Sequence, residues 1–171
     1  ILMPLIPASV LATRRAARTH REKIMSKEKK TKLVQITENL IGKPYKYGVR
    51  PEEAPRHFDC SSFVQYLYKR VGADLPRTAL DQASVGREIE PIKEKLEVGD
   101  LLFFKGGWGH YNPKFPMGIG HVGIYIGNGK VINARSKEVE GEERDSVIEE
   151  DVDTFLKRED FVVLKVRNLI I

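Results

Sequence analysis

His57-Phe58-Asp59-Cys60-Ser61-Ser62-Phe63-Val64-Gln65-Tyr66-Leu67-Tyr68 contains the only cysteine of a 171-residue chain. Phe63, Leu67 and Val71 recur at helical spacing, and Val64 and Tyr68 widen the same stripe, so the stretch predicts an amphipathic helix. Gly72 suits the stop after its end, and Lys69 and Arg70 suit its last turn. Cys60 then falls at the helix N-terminus, where unpaired backbone N–H groups and the positive end of the dipole favour an anion. A thiolate is such an anion, so the position predicts a lowered thiol pKa and a nucleophile. A lone cysteine is more often a small buried hydrophobe, and only a base elsewhere in the chain separates the two cases.

Gly120-His121-Val122-Gly123-Ile124-Tyr125-Ile126-Gly127-Asn128-Gly129-Lys130-Val131-Ile132-Asn133-Ala134 supplies that base. Val122, Ile124 and Ile126 alternate with small or amphipathic residues, and Asn128-Gly129 is a strong hairpin turn. Pairing about that turn brings the strand opened by His121 against the strand carrying Asn133, and a modest register offset makes the two neighbours on one face. A thiol needs a base to take its proton, and an imidazole needs a third group to orient it. Cys60, His121 and Asn133 fill these roles in that order along the chain. His110 is a rival base, but it stands in a Gly- and Pro-rich stretch and lacks a partner of this kind.

Asp59-Cys60-Ser61-Ser62-Phe63-Val64-Gln65 resembles the DCSGFVQ-type motif of the NlpC/P60 family of cysteine peptidases. Gly120 to Gly129 is similar to its GHVGIYLGNG-type motif, Val98-Gly99-Asp100-Leu101-Leu102-Phe103-Phe104 to its PGDLVFF-type segment, and Leu40 to Gly48 to its entry motif. The motifs run in the family order and cover roughly Leu33 to Arg167. The resemblance implies an α+β, circularly permuted papain-like domain with N-terminal helices packed on an antiparallel β-sheet. It implies hydrolysis of an amide bond in the stem peptides of bacterial peptidoglycan, of the D-γ-glutamyl–diamino acid type, through a thioester acyl-enzyme. Tyr45 matches a tyrosine that lines the site near the thiol and joins the Cys60 N–H as a candidate oxyanion donor. Asp59 and Ser61 match residues that hold the free amine of the stem, and Arg77 lies in a Pro-Arg-Thr segment that resembles one near the cleft and is suited to a substrate carboxylate. From the residues alone, Asp59 is equally a helix cap, Tyr45 an aromatic wedge and Arg77 a structural ion-pair partner.

The chain departs from the family pattern at three of these positions. Val49 replaces a second glycine, Ser62 replaces the glycine of the cysteine motif, and Asn133 stands where many members carry histidine. Asparagine carries no charge but accepts an imidazole N–H, as in papain-like proteases.

Length suits one domain with a real core, and a single cysteine forms no internal disulfide. The net charge of +5 is concentrated at one end: residues 1–32 hold nine Lys and Arg against Glu22 and Glu28, which leaves the remainder at −2. The catalytic part therefore predicts no nucleic-acid partner. The first twelve residues are apolar and precede the basic run, the reverse of a secretory signal. They read as the remainder of a longer piece or as sequence ahead of a start near Met25. Residues 1–25 are expected to be a disordered non-domain segment and 26–168 the catalytic domain. The resemblance places the protein at the cell envelope or outside the cell; with no readable export signal, cytoplasmic muropeptide recycling stays open. Stem peptides or muropeptides are the expected partners, with no integral membrane segment and a monomeric state.

Ser26 is the expected cap of a first helix through Leu33, Ile36 and Leu40, stopped by Gly42 and Pro44. Leu101 to Phe104 reads as a buried strand and Phe161 to Val166 as a final one. Lys105 to Ile119 is expected to lack regular structure and to lay its aromatics over the cleft. Residues 138–153 hold nine acidic residues against Arg144 and read as a solvated connection. No metal or nucleotide motif is present, so no cofactor and no metal is expected. Two rival functions remain at this level: an amidase or acyltransferase on the same fold, and an inactive cell-wall-binding module, which would be marked by loss of Cys or His.

Overall fold

A computed structural model of the chain describes residues 8–86, 88–106, 109–139, 142–157 and 161–162. In chain order the elements are α1 (Ala8–Glu38), α2 (Cys60–Arg70), α3 (Ala79–Ser84), β1 (Leu101–Phe104), β2 (His110–Asn112), β3 (Phe115–Ile119), β4 (His121–Gly127), β5 (Lys130–Val139), β6 (Glu142–Asp151), α4 (Val152–Leu156) and β7 (Phe161–Val162). Five strands form one antiparallel sheet in the order β6-β5-β4-β1-β7, and β2 and β3 form a separate hairpin.

Asn128 (φ 52°) and Gly129 (φ 73°) both adopt the left-handed conformation that a tight two-residue hairpin turn requires. The register beyond that turn is Ile124↔Ile132 and Tyr125↔Val131, with a shift between Tyr125 and Gly127. This bulge moves the strand bodies by one residue from the pairing the turn alone predicts. Alternation then divides the apolar residues between the two faces. Leu101, Phe103, Val122, Ile124, Ile126, Ile132 and Ala134 pack with Leu33, Phe63, Val64 and Leu67 from α1 and α2. Leu102, Phe104, Tyr125 and Val131 pack on the other face with Val152 and Phe155 of α4. Phe63 and Leu67 are fully buried, and burial of each contributes about 1.5–3 kcal/mol. This packing seats α2 against the sheet and sets the height of its first residue, Cys60.

The N-terminal helix is longer than its sequence cap implies. No Gly or Pro interrupts residues 8–41, and the Ala, Arg, Lys and Glu that dominate are strong helix formers, so α1 runs through Ser26 from Ala8. Among the described residues, Leu33 is the first to enter the core. Residues 1–7 lie outside the described residues.

The acidic segment is not a connection. It forms β6, which pairs with β5 from Lys130↔Asp151 to Val139↔Glu142. Val147 faces the core at 0% exposed, while Asp145, Glu149 and Asp151 face solvent, and Lys130 Nζ meets Glu149 at 3.2 Å. The outer edge of β6 is covered by the loop after α1, through Gly42 N–H to Val147 O at 2.8 Å, Val147 N–H to Lys43 O at 2.8 Å and Tyr45 N–H to Asp145 O at 2.9 Å. The acidic strand thus anchors the loop that carries Tyr45.

The stretch after β1 also has regular structure, as the β2–β3 hairpin. Asn112 Oδ1 accepts the Lys114 N–H at 2.9 Å to close its turn. Pro116 is tolerated because each strand of a two-stranded ribbon has a free edge. Trp108, expected over the cleft, lies outside the described residues, as does the expected last strand beyond Val162.

Candidate active site

Cys60 opens α2, as its sequence position predicts. Asp59 caps the helix by accepting the Ser62 N–H at 2.8 Å, and Ser62 Oγ accepts the Asp59 N–H at 2.9 Å. The serine that departs from the family glycine therefore completes the cap. The thiol is partly buried and points at the sheet: Sγ lies 4.0 Å from Gly120 O, and the Ser61 and Val122 amides donate toward it. The backbone on both sides of His121 thus meets the cysteine. Burial, and next the Asp59 carboxylate, push the thiol up to about 11, against the opposing pull of those two amides and Arg77. The lowered pKa expected from the helix N-terminus is corrected: the donors are in place, but loss of water outweighs them.

His121 opens β4, and its ring lies 4.6 Å from that of Phe104. His121 Nε2 and Asn133 Oδ1 are 2.9 Å apart. Asn133 is fully buried, and its Nδ2 donates to Glu150 Oε2 at 2.9 Å. Arg135 Nη1 approaches the same oxygen at 3.5 Å. Gly123 makes room for this arrangement. A Cβ there would stand 2.8 Å from Val131 Cγ1 and 3.3 Å from Asn133 Cβ, forcing β4 and β5 apart where the imidazole meets the amide. His110 sits in β2 opposite Ile119.

Tyr45, on the loop after α1, lies close enough to Cys60 to feel its charge. Its backbone bridges to Phe58, and the neighbouring Lys46 N–H donates to Phe58 O at 2.9 Å, which lays the loop beside the approach to Cys60. Burial, then the proximity of Cys60 and Asp59, push the phenol up to about 12, so at neutral pH it stays protonated and able to donate.

Asp59, Ser61 and Arg77 form one cluster. Arg77 Nη1 donates to Asp59 Oδ1 at 3.1 Å and to Ser61 Oγ at 2.9 Å, while Nη2 donates to Asp59 Oδ2 and to the Val49 carbonyl. Val49 N–H adds a bond to Asp59 Oδ2 at 3.2 Å, and both Asp59 and Ser61 are 6% exposed. The polar groups of all three are turned toward one another. Gln82 Nε2 ties the same corner together by donating to the carbonyls of Ser61 at 2.9 Å and Pro76 at 2.8 Å.

The sequence pattern does not point to Glu150, which lies in the acidic stretch that reads as a connection, or to the packing role of Gly123. The β5–β6 register needed to place Glu150 depends on a turn that carries no strong short-loop signal. Among the described residues, no group of three His, Cys, Asp or Glu side chains is arranged to hold a metal ion, and no helix is long and apolar enough to cross a membrane.

Comparison with known proteins fits this geometry. A probable endopeptidase p60 from Listeria welshimeri is 39% identical over 108 residues, which is 63% of this chain and 18% of that protein. A gamma-DL-glutamyl hydrolase from Bacillus subtilis is 37% identical over 108 residues, 62% of this chain and 23% of that protein. The chain spans about a fifth of the length of these curated relatives. Among solved structures, the NlpC/p60 domain of the peptidoglycan hydrolase SagA is 33% identical with a TM-score of 0.55, covering 78% of this chain and 97% of that one. An NlpC/P60 family protein from Bacillus cereus superposes with a TM-score of 0.61 at 27% identity, covering 81% of this chain and 39% of that one. The NlpC/P60 family pattern matches residues 42–157, a span that takes in the Tyr45 loop, α2, the β4–β5 hairpin and Glu150, and the chain belongs to that family.

Proposed function

We propose that this domain is a cysteine peptidase that hydrolyses an amide bond in bacterial peptidoglycan stem peptides, of the D-γ-glutamyl–diamino acid type. The observation that carries this reading is the 2.9 Å contact of His121 Nε2 with Asn133 Oδ1, made on the hairpin whose first residues enclose the Cys60 thiol. The names of the relatives, an endopeptidase, a gamma-DL-glutamyl hydrolase and a peptidoglycan hydrolase, support the choice of substrate.

The Asn133 carbonyl holds the proton of the neutral imidazole on Nε2, so Nδ1 is the basic nitrogen. With the thiol pushed up to about 11, the resting cysteine keeps its proton at neutral pH. His121 removes that proton as Sγ attacks the amide carbonyl, so the thiolate is made during the attack. A C–S bond forms, and the oxyanion meets the Cys60 N–H and the Tyr45 hydroxyl. Collapse breaks the C–N bond, and the imidazolium gives its proton to the departing amine. Water, deprotonated by His121, then attacks the thioester, and the acid leaves as the thiolate is regenerated and reprotonated. The sum is one amide plus one water giving one acid and one amine.

Incubation of the purified chain with defined muropeptides, with mass spectrometry of the products, tests the proposal. A cut between D-glutamate and the third residue, absent in Cys60→Ala, is the expected result. Intact muropeptides under conditions where the protein is folded would overturn it.

A further inference from the structure

We propose that Glu150 is a positioning residue for the reaction: by accepting the Asn133 amide N–H, its carboxylate dictates which ring nitrogen of His121 carries the proton. The proposal rests on the reading that Cys60 and His121 do the chemistry, but its first test does not depend on activity.

An asparagine amide can face an imidazole with either end. If Nδ2 faced His121, the amide would donate to Nε2, which would place the histidine proton on Nδ1 and leave that nitrogen unable to act as base. Something must therefore select the orientation. A carboxylate only accepts hydrogen bonds, so a carboxylate beside Asn133 must be met by Nδ2. Glu150 Oε2 stands 2.9 Å from Nδ2, and Oδ1 then faces His121 Nε2 at 2.9 Å. A carbonyl oxygen also only accepts, so Nε2 must hold the proton and Nδ1 carries the basic lone pair. The three side chains form one row across β4, β5 and β6, and each link fixes the sense of the next.

Burial makes the selection firm. Asn133 is fully buried and Glu150 is 8% exposed, so a reversed amide would set a carbonyl oxygen against a carboxylate with little water between them. A buried carboxylate is itself unfavourable unless it is paired. Arg135, two residues after Asn133 on the same strand face, comes within 3.5 Å of Glu150 Oε2 and supplies the compensating charge.

The test is the tautomer of His121, read by long-range 1H–15N correlation on protein labelled at histidine, with the signal assigned by its loss in His121→Gln. The native protein should show the Nε2–H form. Glu150→Met, which removes the acceptor at similar size, should give a mixture of tautomers and lower kcat about 10- to 100-fold with KM within about threefold. Glu150→Gln keeps an oxygen that can face Nδ2, so it should retain the Nε2–H form and lose less than about tenfold in kcat. On an Asn133→Ala background, Glu150→Met should cause no further loss, because the two act as one unit. A native Nδ1–H form, an unchanged tautomer in Glu150→Met, or full additivity with Asn133→Ala would overturn the proposal. If Glu150→Met fails to fold, the native tautomer and the Glu150→Gln result still decide. A protein with the Nε2–H form that cleaves no muropeptide would overturn the peptidase reading and leave the Glu150 assignment intact.

Discussion

Arg77 holds both carboxylate oxygens of Asp59, the residue immediately before the cysteine. Asp59 also caps α2 and takes the Val49 N–H, so this one carboxylate joins the entry loop, the helix start and the segment before α3. Removing the guanidinium leaves a nearly buried charge with weaker compensation. Because the Arg77 side chain is 33% exposed, water recovers part of the loss, and Arg77→Ala should cost on the order of 2 kcal/mol in urea unfolding. Arg77→Lys should recover less than half of that, since an ammonium cannot hold two oxygens in the forked geometry. A native urea midpoint for Arg77→Ala would remove Arg77 from the structural support of the site.

The same contacts bear on substrate choice. An ammonium bound at Asp59 would compete with Arg77 and two backbone amides for oxygens that are already engaged. N-acetylation of a free tripeptide stem should therefore change kcat/KM by less than about tenfold, below the loss expected when a charge-assisted pair disappears. A drop of a hundredfold or more on acetylation would instead place the substrate amine at Asp59 and Ser61, as the family resemblance implies.

The residues that were legible in the sequence are those whose signals are local. Cys60 at a helix start follows from the spacing of Phe63, Leu67 and Val71, and the hairpin follows from Asn128-Gly129 and strict alternation. What escaped depends on contacts between distant segments. β6 is hidden because, among its described residues, only Val147 and Glu150 are buried, so a highly acidic strand still pairs along its full length with β5. Glu150 became visible only once the β5–β6 register was known, since that register sets the carboxylate beside Asn133. The raised thiol pKa is not legible locally for a similar reason: helix position speaks for an anion, while burial is a property of the whole fold. Ser26 resembles a cap because serine suits that position, but the uninterrupted helix formers before it carry α1 back to Ala8.

Burial and Asp59 raise the Cys60 thiol from an ordinary 9.0 to about 11, which has two consequences for pH. Stability linked to its proton is fully present below pH 9 and declines as pH rises toward 11, because the unfolded chain releases the proton first. Cys60→Ala should flatten this alkaline slope in denaturation measured from pH 8 upward. Alkylation by iodoacetamide should likewise climb through the alkaline range, since only the thiolate reacts. A labelling rate that is already at its plateau below pH 7 would show a preformed thiolate–imidazolium pair and overturn attack by a proton-bearing cysteine.

On the proposed mechanism Asn133 acts on His121 by orientation alone, because an amide has no accessible proton equilibrium. An interaction that holds the base matters most when the proton moves, so Asn133→Ala should lower kcat with little change in KM. The loss should fall between tens and thousands of fold, and below that of Cys60→Ala, because general acid–base assistance is worth about 10²–10⁴. Asn133→His should retain more activity than Asn133→Ala, since an imidazole also accepts the His121 N–H, although Glu150 would then meet a ring nitrogen in place of an amide. The side chain is fully buried, so the alanine variant also leaves a small cavity and takes one donor from the Glu150 carboxylate. A melting-temperature comparison with Asn133→Asp separates the two effects. Asp keeps an acceptor for Nε2 but sets a second carboxylate against Glu150, so it should lose stability while retaining more kcat than the alanine variant. Should Asn133→Ala keep the kcat of the native protein, the amide is a strand residue only, and the orientation of His121 would have to come from other contacts, among them its tilted ring contact with Phe104.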